Sequence, residues 1–137
     1  MSYLLDTGFL YALLNRSEQQ HANVLAVSES VTGQIFLPIP VTTEVAYLIL
    51  RDLGTVAVAD FVESLVEPGF ELLEPISEDY QRAAAVIRKY HDARIDFVDA
   101  IMVAMAERLN ITRILTLDQR HFRLFRPKHC TAFELFP

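Results

Sequence analysis

The sequence has 137 residues, the length of one domain, and we predict a single domain spanning residues 1–137. It is 52% hydrophobic with a mean hydropathy of +0.24, which excludes a disordered chain and allows a sizeable buried core. The net charge of −6 argues against general affinity for nucleic acid. The one cysteine, Cys130, excludes an intramolecular disulfide and a cysteine-rich zinc site, and it suits a cytoplasmic protein.

The first apolar stretch, residues 4–14, contains Asp6 and has no basic segment before it. It is therefore predicted to be neither a signal peptide nor a membrane span, and no later apolar run reaches the roughly 18 residues that a span needs. We expect a protein without a membrane partner.

Short apolar runs alternate with segments of helical spacing along the chain. In chain order the predicted elements are strand 2–5, helix 7–14, helix 17–31, strand 35–37, helix 44–53, helix 56–66, strand 70–73, helix 77–90, helix 96–109, strand 113–117 and a candidate fifth strand, 131–135. Thr42 or Thr43 is predicted to cap the helix that begins at Glu44. Residues 120–128 are predicted to form a surface loop. This alternation predicts an α/β fold with a parallel sheet covered on both faces.

Four carboxylates follow predicted strands or begin predicted helices: Asp6, Glu44, Asp99 and Asp118. In an open α/β sheet, ligands bind outside the carboxyl ends of the strands, so these four are predicted to meet in one crevice. Like charges in one crevice repel each other unless a cation joins them. Hard cations prefer oxygen ligands, so the pattern predicts a site for Mg²⁺ or Mn²⁺.

Each acid also has an ordinary structural explanation. Asp6 can cap the helix that follows it, and Glu44 can be a charge favoured at a helix start. Asp99 can complete a capping box with Asp96, and Asp118 can be a turn residue. For these four acids we favour the metal. For Asp96 we favour the helix cap, with a water-mediated contact to the metal as the alternative.

The chain lacks the motifs of several other enzyme classes. No histidine pair has HExxH spacing, no Cys/His pair forms a zinc motif, and Cys130 has no nucleophile context. Residues 52–81 hold eight acidic residues and no Lys or Arg, whereas residues 108–128 hold six bases and one acid. Such patches can be solvated surfaces, and the basic one can also contact phosphate. The same two alternatives apply to His121 with Arg120.

Three segments carry a resemblance to a known family: LLDTGFLYALL (residues 4–14), DFVDAIMVAMAERLNI (96–111) and ILTLDQRHF (114–122). Glu44, in VTTEV, is a fourth and shorter signal in the expected order. With these four signals the whole chain resembles the PIN-domain ribonucleases, in particular the VapC-type toxins of toxin–antitoxin pairs. The resemblance implies a three-layer α/β/α fold with a mainly parallel sheet of four to five strands.

The resemblance also implies the chemistry of the site. Asp6, Glu44, Asp99 and Asp118 match the family's catalytic, metal-binding acids, which would hold one or two Mg²⁺ or Mn²⁺ ions. Thr7 and Thr116 match the small polar and hydroxyl residues that support them. The expected reaction is hydrolysis of RNA phosphodiester bonds, leaving a 5′-phosphate and a 3′-hydroxyl. The expected partners are an RNA substrate, a cognate antitoxin and a second copy of the chain. The RNA backbone would contact Arg120, Arg123, Arg126 and Lys128.

Three other functions remain to be compared. An aspartyl-phosphate phosphatase would need a second Asp where this chain has Gly8, and the only lysines, Lys89 and Lys128, are poorly placed. A non-catalytic domain that binds metal, RNA or protein is disfavoured by the intact set of acids. A DNA-directed nuclease has the same site chemistry and stays open.

Overall fold

The computed structural model describes all 137 residues. Its five strands form one parallel sheet in the order β3-β2-β1-β4-β5. The strands are β1 (Ser2–Leu5), β2 (Gln34–Pro38), β3 (Glu71–Leu73), β4 (Arg113–Leu115) and β5 (Glu134–Phe136). Because the chain leaves β1 towards β2 on one side and later returns to β4 on the other, a crevice opens beyond the carboxyl ends of β1 and β4.

Seven α-helices cover the two faces of the sheet, so the predicted three-layer α/β/α fold is confirmed. They are α1 (Thr7–Leu14), α2 (His21–Ser30), α3 (Ile39–Leu53), α4 (Thr55–Ser64), α5 (Ser77–Lys89), α6 (Phe97–Leu109) and α7 (Gln119–Leu124). Helix α1 packs on α2 and α3, and α5 packs on α6. None of the helices combines the length and the continuous apolar character needed to cross a bilayer.

The core lies on β1 and on helices α1 and α6. Leu4 and Leu5 of β1 are almost inaccessible to solvent, as are Phe9 and Leu10 of α1. Helix α6 is buried along residues 98–106, which explains why its sequence is apolar around its whole circumference rather than along one stripe. The edge of the sheet at which the acids lie is therefore supported by rigid, well-packed elements.

Helix α3 begins five residues earlier than predicted, at Ile39 instead of Glu44. Pro40 does not prevent this, because a proline in the first helical turn lacks an N–H that would be unpaired anyway. Thr42 does not cap the helix. Its hydroxyl donates to the carbonyl of Ile39 at 2.6 Å, as expected inside a first turn. Glu44 consequently lies in the second turn of α3.

The prediction of a surface loop at residues 120–128 is wrong for residues 120–124, and only residues 125–128 of this segment lie outside helices and strands. Helix α7 occupies residues 119–124, and the side chains of Phe122 and Phe125 are completely buried. Their rings pack edge to face with centroids 5.7 Å apart. Strand β4 also ends at Leu115, two residues before the predicted end, so Thr116 and Asp118 lie in the connection to α7. The aromatic residues thus hold this basic segment against the core.

Candidate metal centre

Asp6 is the most deeply buried acid at the crevice, with 4% of the residue exposed. The parallel register pairs Leu5 with Leu115, so the residues that follow each strand, Asp6 and Thr116, are neighbours at the sheet edge. The Thr116 hydroxyl donates to Asp6 Oδ2 at 2.7 Å. Asp6 stands before α1, yet its side chain makes no capping hydrogen bond. The helix-cap alternative for Asp6 is therefore wrong.

Thr116 is completely buried and joins Asp6 to the next acid. Its oxygen accepts a hydrogen bond from the backbone N–H of Asp118 at 2.9 Å, while its hydrogen is directed at Asp6. One hydroxyl thereby fixes both the orientation of one carboxylate and the backbone that carries another.

Asp99 lies in the first turn of α6 with 6% of the residue exposed. Asp96 caps this helix, because its Oδ1 accepts the N–H of Asp99 at 2.9 Å, as the sequence predicted. The Asp99 side chain does not return a bond to the N–H of Asp96, so the two do not form a capping box. The Asp99 carboxylate is thus available for another partner. The water-mediated role of Asp96 stays a prediction.

Glu44 reaches the same crevice from α3. The Thr7 hydroxyl donates to Glu44 Oε1 at 2.5 Å, so Thr7 orients Glu44 rather than its neighbour Asp6. Glu44 is half-buried and borders a cleft of about 560 Å³. The cleft is lined by Ile39, Pro40, Thr43, Glu44, Glu74, Pro75, Tyr80, Phe97 and Val98.

Burial makes ionisation of two of these acids difficult. Burial, with smaller contributions from the charges of Asp118 and Glu44, raises the pKa of Asp6 to about 6. Burial and then the charge of Asp6, with those of Asp96 and Asp118, raise the pKa of Asp99 to about 9. The acids are therefore close enough to repel one another, and a cation among them would relieve both effects.

Asp118 begins α7 and has a more exposed side chain, with 41% accessible to solvent. Its Oδ1 accepts the N–H of His121 at 3.4 Å, so it caps a helix rather than forming an isolated turn. The ring of His121 returns towards the acids. Its Nδ1 lies within hydrogen-bonding distance of Oδ2 of Asp118 at 3.1 Å and of Oδ2 of Asp99 at 3.2 Å.

Sequence reasoning does not find this contact of His121. The available signal is the spacing of three residues from Asp118, which places a capping acid and a side chain of the first helical turn side by side. This spacing indicates a contact only if a helix is predicted to begin at Asp118. Because the sequence predicts a surface loop there instead, the contact is not found. A phosphate contact or a solvated position is what the sequence alone suggests for His121.

The four bases expected to contact RNA are all exposed and follow Asp118 within ten residues: Arg120, Arg123, Arg126 and Lys128. Arg123 donates to Gln119, and Arg126 donates to the backbone carbonyls of Arg123 and Phe125. None of these four side chains forms an ion pair with a carboxylate. Their charges therefore remain available at the surface.

The residues present fit a divalent cation. Asp99, Asp118 and His121 each offer one donor atom, and these atoms lie within 4.8 Å of one another. The oxygen-rich donors suit Mg²⁺ or Mn²⁺, and the buried carboxylates of Asp6 and Asp99 lack any Lys or Arg partner that could balance them.

Comparisons of the whole sequence with known proteins identify related families. The sequence profile of the PIN domain matches residues 3–126. Ribonuclease VapC26 of Mycobacterium tuberculosis is 31% identical over 134 residues, which cover 98% of this chain and 99% of that protein.

Solved structures are similar in fold. VapC20 of Mycobacterium tuberculosis, a toxin that cleaves the sarcin–ricin loop, has a TM-score of 0.81 at 19% identity over 86% of this chain and 91% of that one. VapBC2 of Rickettsia felis, bound to a promoter DNA fragment, has a TM-score of 0.72 at 14% identity over both whole chains. FitAcB of Neisseria gonorrhoeae has a TM-score of 0.67 at 19% identity, with 98% and 96% covered. Since the profile spans most of the sequence and the ribonuclease relative nearly all of it, this chain belongs to the PIN-domain family.

Proposed function

We propose that this protein is a metal-dependent endoribonuclease and the toxin of a toxin–antitoxin pair. The observation that carries the proposal is the crevice beyond β1 and β4, where the donor atoms of Asp99, Asp118 and His121 lie within 4.8 Å of one another and, besides burial, the charges of Asp6 and Glu44 help to raise the pKa of Asp99. Similarity to Ribonuclease VapC26 over nearly the whole chain supports RNA as the substrate. A structural protein would gain little from burying two carboxylates with raised pKa values.

In this proposal Asp6, Glu44, Asp99 and Asp118 hold one or two Mg²⁺ or Mn²⁺ ions. A bound divalent cation supplies a water of lowered pKa and neutralises charge on the phosphate. Thr116 keeps Asp6 and the Asp118 backbone in place, and Thr7 does the same for Glu44. The acids must all be ionised in order to bind the cation. In the metal-free protein their mutual repulsion opposes this, so the fully ionised state requires a bound cation.

No side-chain nucleophile takes part in the proposed reaction. The crevice residues are acids, threonines and His121, with no serine or cysteine placed beside a base. Water is therefore the attacking group. Its attack on phosphorus with departure of the 3′ oxygen leaves a 5′-phosphate on one product and a 3′-hydroxyl on the other.

The substrate surface is proposed to combine charge and an open cleft. Arg120, Arg123, Arg126 and Lys128 would hold the phosphate backbone without reading bases. The cleft beside Glu44 includes the rings of Tyr80 and Phe97, which lie parallel with centroids 6.3 Å apart and are about half exposed. An unpaired RNA loop, whose bases can leave the stack, fits such a surface better than a continuous duplex.

Partner proteins are proposed from an apolar surface on helices α1, α3 and α4. A groove of about 270 Å³ between α1, α3 and α4 is lined mainly by apolar side chains, including Leu14, Ile49, Leu53 and Phe61. Leu50, Leu53 and Val62 remain half exposed around it. Exposed apolar surface of this kind marks protein interfaces. We propose that an antitoxin and a second copy of the chain cover these helices.

The experiment is cleavage of defined substrates by the purified protein. A stem–loop RNA and a DNA of the same sequence would be incubated with Mg²⁺, Mn²⁺ or EDTA, and the product ends would be identified by phosphatase and kinase labelling. We expect RNA products with 5′-phosphate ends in either metal and none in EDTA. Cleavage of the DNA instead would identify a DNA-directed nuclease. Metal binding without cleavage of either substrate would favour a binding domain and contradict the proposal.

A further inference from the structure

His121 occupies the position of a ligand within the acidic crevice. Its Nδ1 lies 3.2 Å from Asp99 Oδ2 and 3.1 Å from Asp118 Oδ2. Neighbouring ligands of an octahedral cation with bonds of about 2.0–2.1 Å are separated by about 3 Å. The two N···O separations are therefore close to those of donor atoms that share one ion, and the ligand atoms of Asp99 and Asp118 lie within 4.8 Å of each other.

The fold holds the ring in this position. Asp118 accepts the backbone N–H of His121, and the next residue, Phe122, is completely buried. The ring cannot leave the crevice by a shift of the backbone without breaking this cap and withdrawing Phe122 from the core. Three-quarters of the His121 side chain is also shielded from solvent. The imidazole is thus preorganised towards Asp99 and Asp118.

We propose that His121 binds a catalytic cation directly through Nδ1, together with Asp99 and Asp118, and that this nitrogen makes the site prefer Mn²⁺ to Mg²⁺. The inference rests on the metal site of the proposed function. Mg²⁺ binds oxygen donors almost exclusively, whereas imidazole is a good ligand for first-row transition ions. Coordination through Nδ1 requires that this atom carry no proton, so a proton held between Nδ1 and the two carboxylates would be released to solvent and the ring hydrogen would be on Nε2.

Two other roles for His121 make different predictions. A simple counter-ion for the acids would leave the crevice when a cation entered, and no nitrogen would contact the metal. A positioning residue would hydrogen-bond a carboxylate that binds the metal, so its removal would weaken Mg²⁺ and Mn²⁺ by similar factors. Only a direct ligand predicts both a metal–nitrogen bond and a loss of affinity that is selective for Mn²⁺.

The test is pulsed electron paramagnetic resonance of the full-length protein with one equivalent of Mn²⁺ at pH 8, prepared unlabelled and with ¹⁵N-histidine. Calorimetric titrations with Mn²⁺ and Mg²⁺ accompany it for the wild type, His121→Gln and the control His91→Gln. His91 is a suitable control because its side chain is 72% exposed and contacts only Asp92 and a backbone carbonyl. Circular dichroism confirms that the variants are folded.

We expect a ¹⁴N coupling in the wild type that changes with histidine labelling, persists in His91→Gln and is absent in His121→Gln. The Kd for Mn²⁺ should rise about tenfold or more in His121→Gln, with a change of less than about threefold for Mg²⁺. The comparison of labelled with unlabelled wild type tests the ligand assignment even if His121→Gln does not fold, because His121 is the only histidine in the cluster with Asp99 and Asp118.

Tight Mn²⁺ binding without a histidine coupling would overturn the ligand assignment and leave the carboxylate site of the proposed function intact. Equal decreases in Mn²⁺ and Mg²⁺ affinity without that coupling would identify a positioning residue instead. A wild-type protein that binds neither ion would overturn both this inference and the proposed metal site.

Discussion

Thr116 shows how much of the crevice depends on one buried hydroxyl. It donates to Asp6 and accepts from the N–H of Asp118, so both of its hydrogen-bonding functions are used. Removing one partner at such a position leaves a buried polar group unsatisfied, which costs about 1–3 kcal/mol. The hydroxyl therefore supports both the folded state and the geometry of the acids.

For Thr116→Val we expect the free energy of unfolding to fall by about 1–2 kcal/mol. We expect kcat/KM for RNA cleavage to fall about 10- to 100-fold, the usual effect of removing a residue that orients metal ligands. Urea unfolding and initial cleavage rates provide the two measurements. Thr116→Ser should recover most of the activity, and Thr131→Val, at an exposed threonine, should resemble the wild type. Wild-type activity in Thr116→Val would contradict this role.

Asp99 makes the metal-free protein sensitive to pH in an unusual direction. Burial and neighbouring charges raise its pKa from 3.8 to about 9 in the folded state. Between these two values the folded chain binds more protons than the unfolded chain, so stability falls as the pH rises. A salt-bridged carboxylate, with a lowered pKa, would show the opposite trend.

In EDTA at pH 8 we expect Asp99→Asn to be more stable than the wild type by about 1–3 kcal/mol, because the buried carboxyl must take up a proton on folding at this pH whereas the amide is neutral in both states. The difference should shrink towards pH 4, which approaches the ordinary pKa of 3.8, because the carboxyl is protonated in both states only below that value. Urea unfolding at pH 4, 6 and 8 measures it, with Asp92→Asn, at a site 94% exposed, as the control. A variant that is less stable than the wild type at pH 8 would show that the buried carboxylate is compensated.

The positions of the acids are predictable from the sequence, and the family resemblance indicates Thr116 as a supporting hydroxyl, whereas two other contacts of the acids are not predictable. Asp6 and Asp118 stand out because each follows an apolar run, a property of the local sequence. The bond from Thr7 to Glu44 joins residues 37 positions apart, and no local pattern indicates such a pairing. The same holds for His121 and Asp99, which meet only because α7 returns to the amino end of α6.

At the scale of elements, α7 links the core to the crevice. The helix has only six residues, too few to be stable by itself, and it is anchored by Phe122 and by Phe125 just beyond its end. Asp118 caps it, and His121 lies in its first turn. The packing of one aromatic side chain thus controls where an acid and an imidazole are held.

Phe122→Ala should lower the free energy of unfolding by about 3–5 kcal/mol, as expected for removal of a completely buried aromatic ring. We expect a weaker Mn²⁺ affinity in the fraction that remains folded, because α7 no longer has its anchor. Leu124→Ala, in the same helix at a site 41% exposed, should change stability by less than about 1 kcal/mol. Thermal unfolding and calorimetric titration test both expectations. Equal effects of the two substitutions would contradict the anchoring role.

Element types are more predictable here than element ends. The alternation of strands and helices predicts the parallel sheet, because hydrophobic period distinguishes the two. The start of α3 is harder to place because Pro38 and Pro40 suggest a stop, although a helix accepts proline in its first turn. Helix α7 is not predicted because a basic segment is typical of a surface loop. The burial of Phe122 and Phe125 depends on contacts with the assembled core, which the local sequence does not indicate.

At the scale of the whole molecule, charge is separated rather than balanced. The net charge is −6, yet four exposed bases follow Asp118 along one segment. The acidic crevice repels a polyanion, and the neighbouring bases attract it. Bound cations would reduce the repulsion, so affinity for RNA is expected to depend on both the metal and the basic segment.

Arg120→Ala with Arg123→Ala should weaken RNA binding and lower the slope of log K against log salt by about 0.7 for each phosphate that the protein no longer neutralises. Fluorescence anisotropy across a range of salt concentrations measures this in an Asp6→Asn background with Mg²⁺, where we expect no cleavage. The control variant combines Arg16→Ala with Arg88→Ala. It removes the same charge at two exposed positions outside the basic segment. An equal change in slope for both pairs would mean that the basic segment has no special role.

The buried carboxylates of Asp6 and Asp99 are expected to hold the cation on which RNA cleavage depends. Single-turnover cleavage of one RNA by wild type, Asp6→Asn, Asp99→Asn and the exposed-site control Asp92→Asn, in Mn²⁺ and in EDTA, tests this expectation most directly. We expect the rate to fall at least about 100-fold in both buried-site variants, the control to retain the wild-type rate, and EDTA to abolish cleavage in all four. Cleavage that persists in EDTA and in both buried-site variants would contradict this expectation.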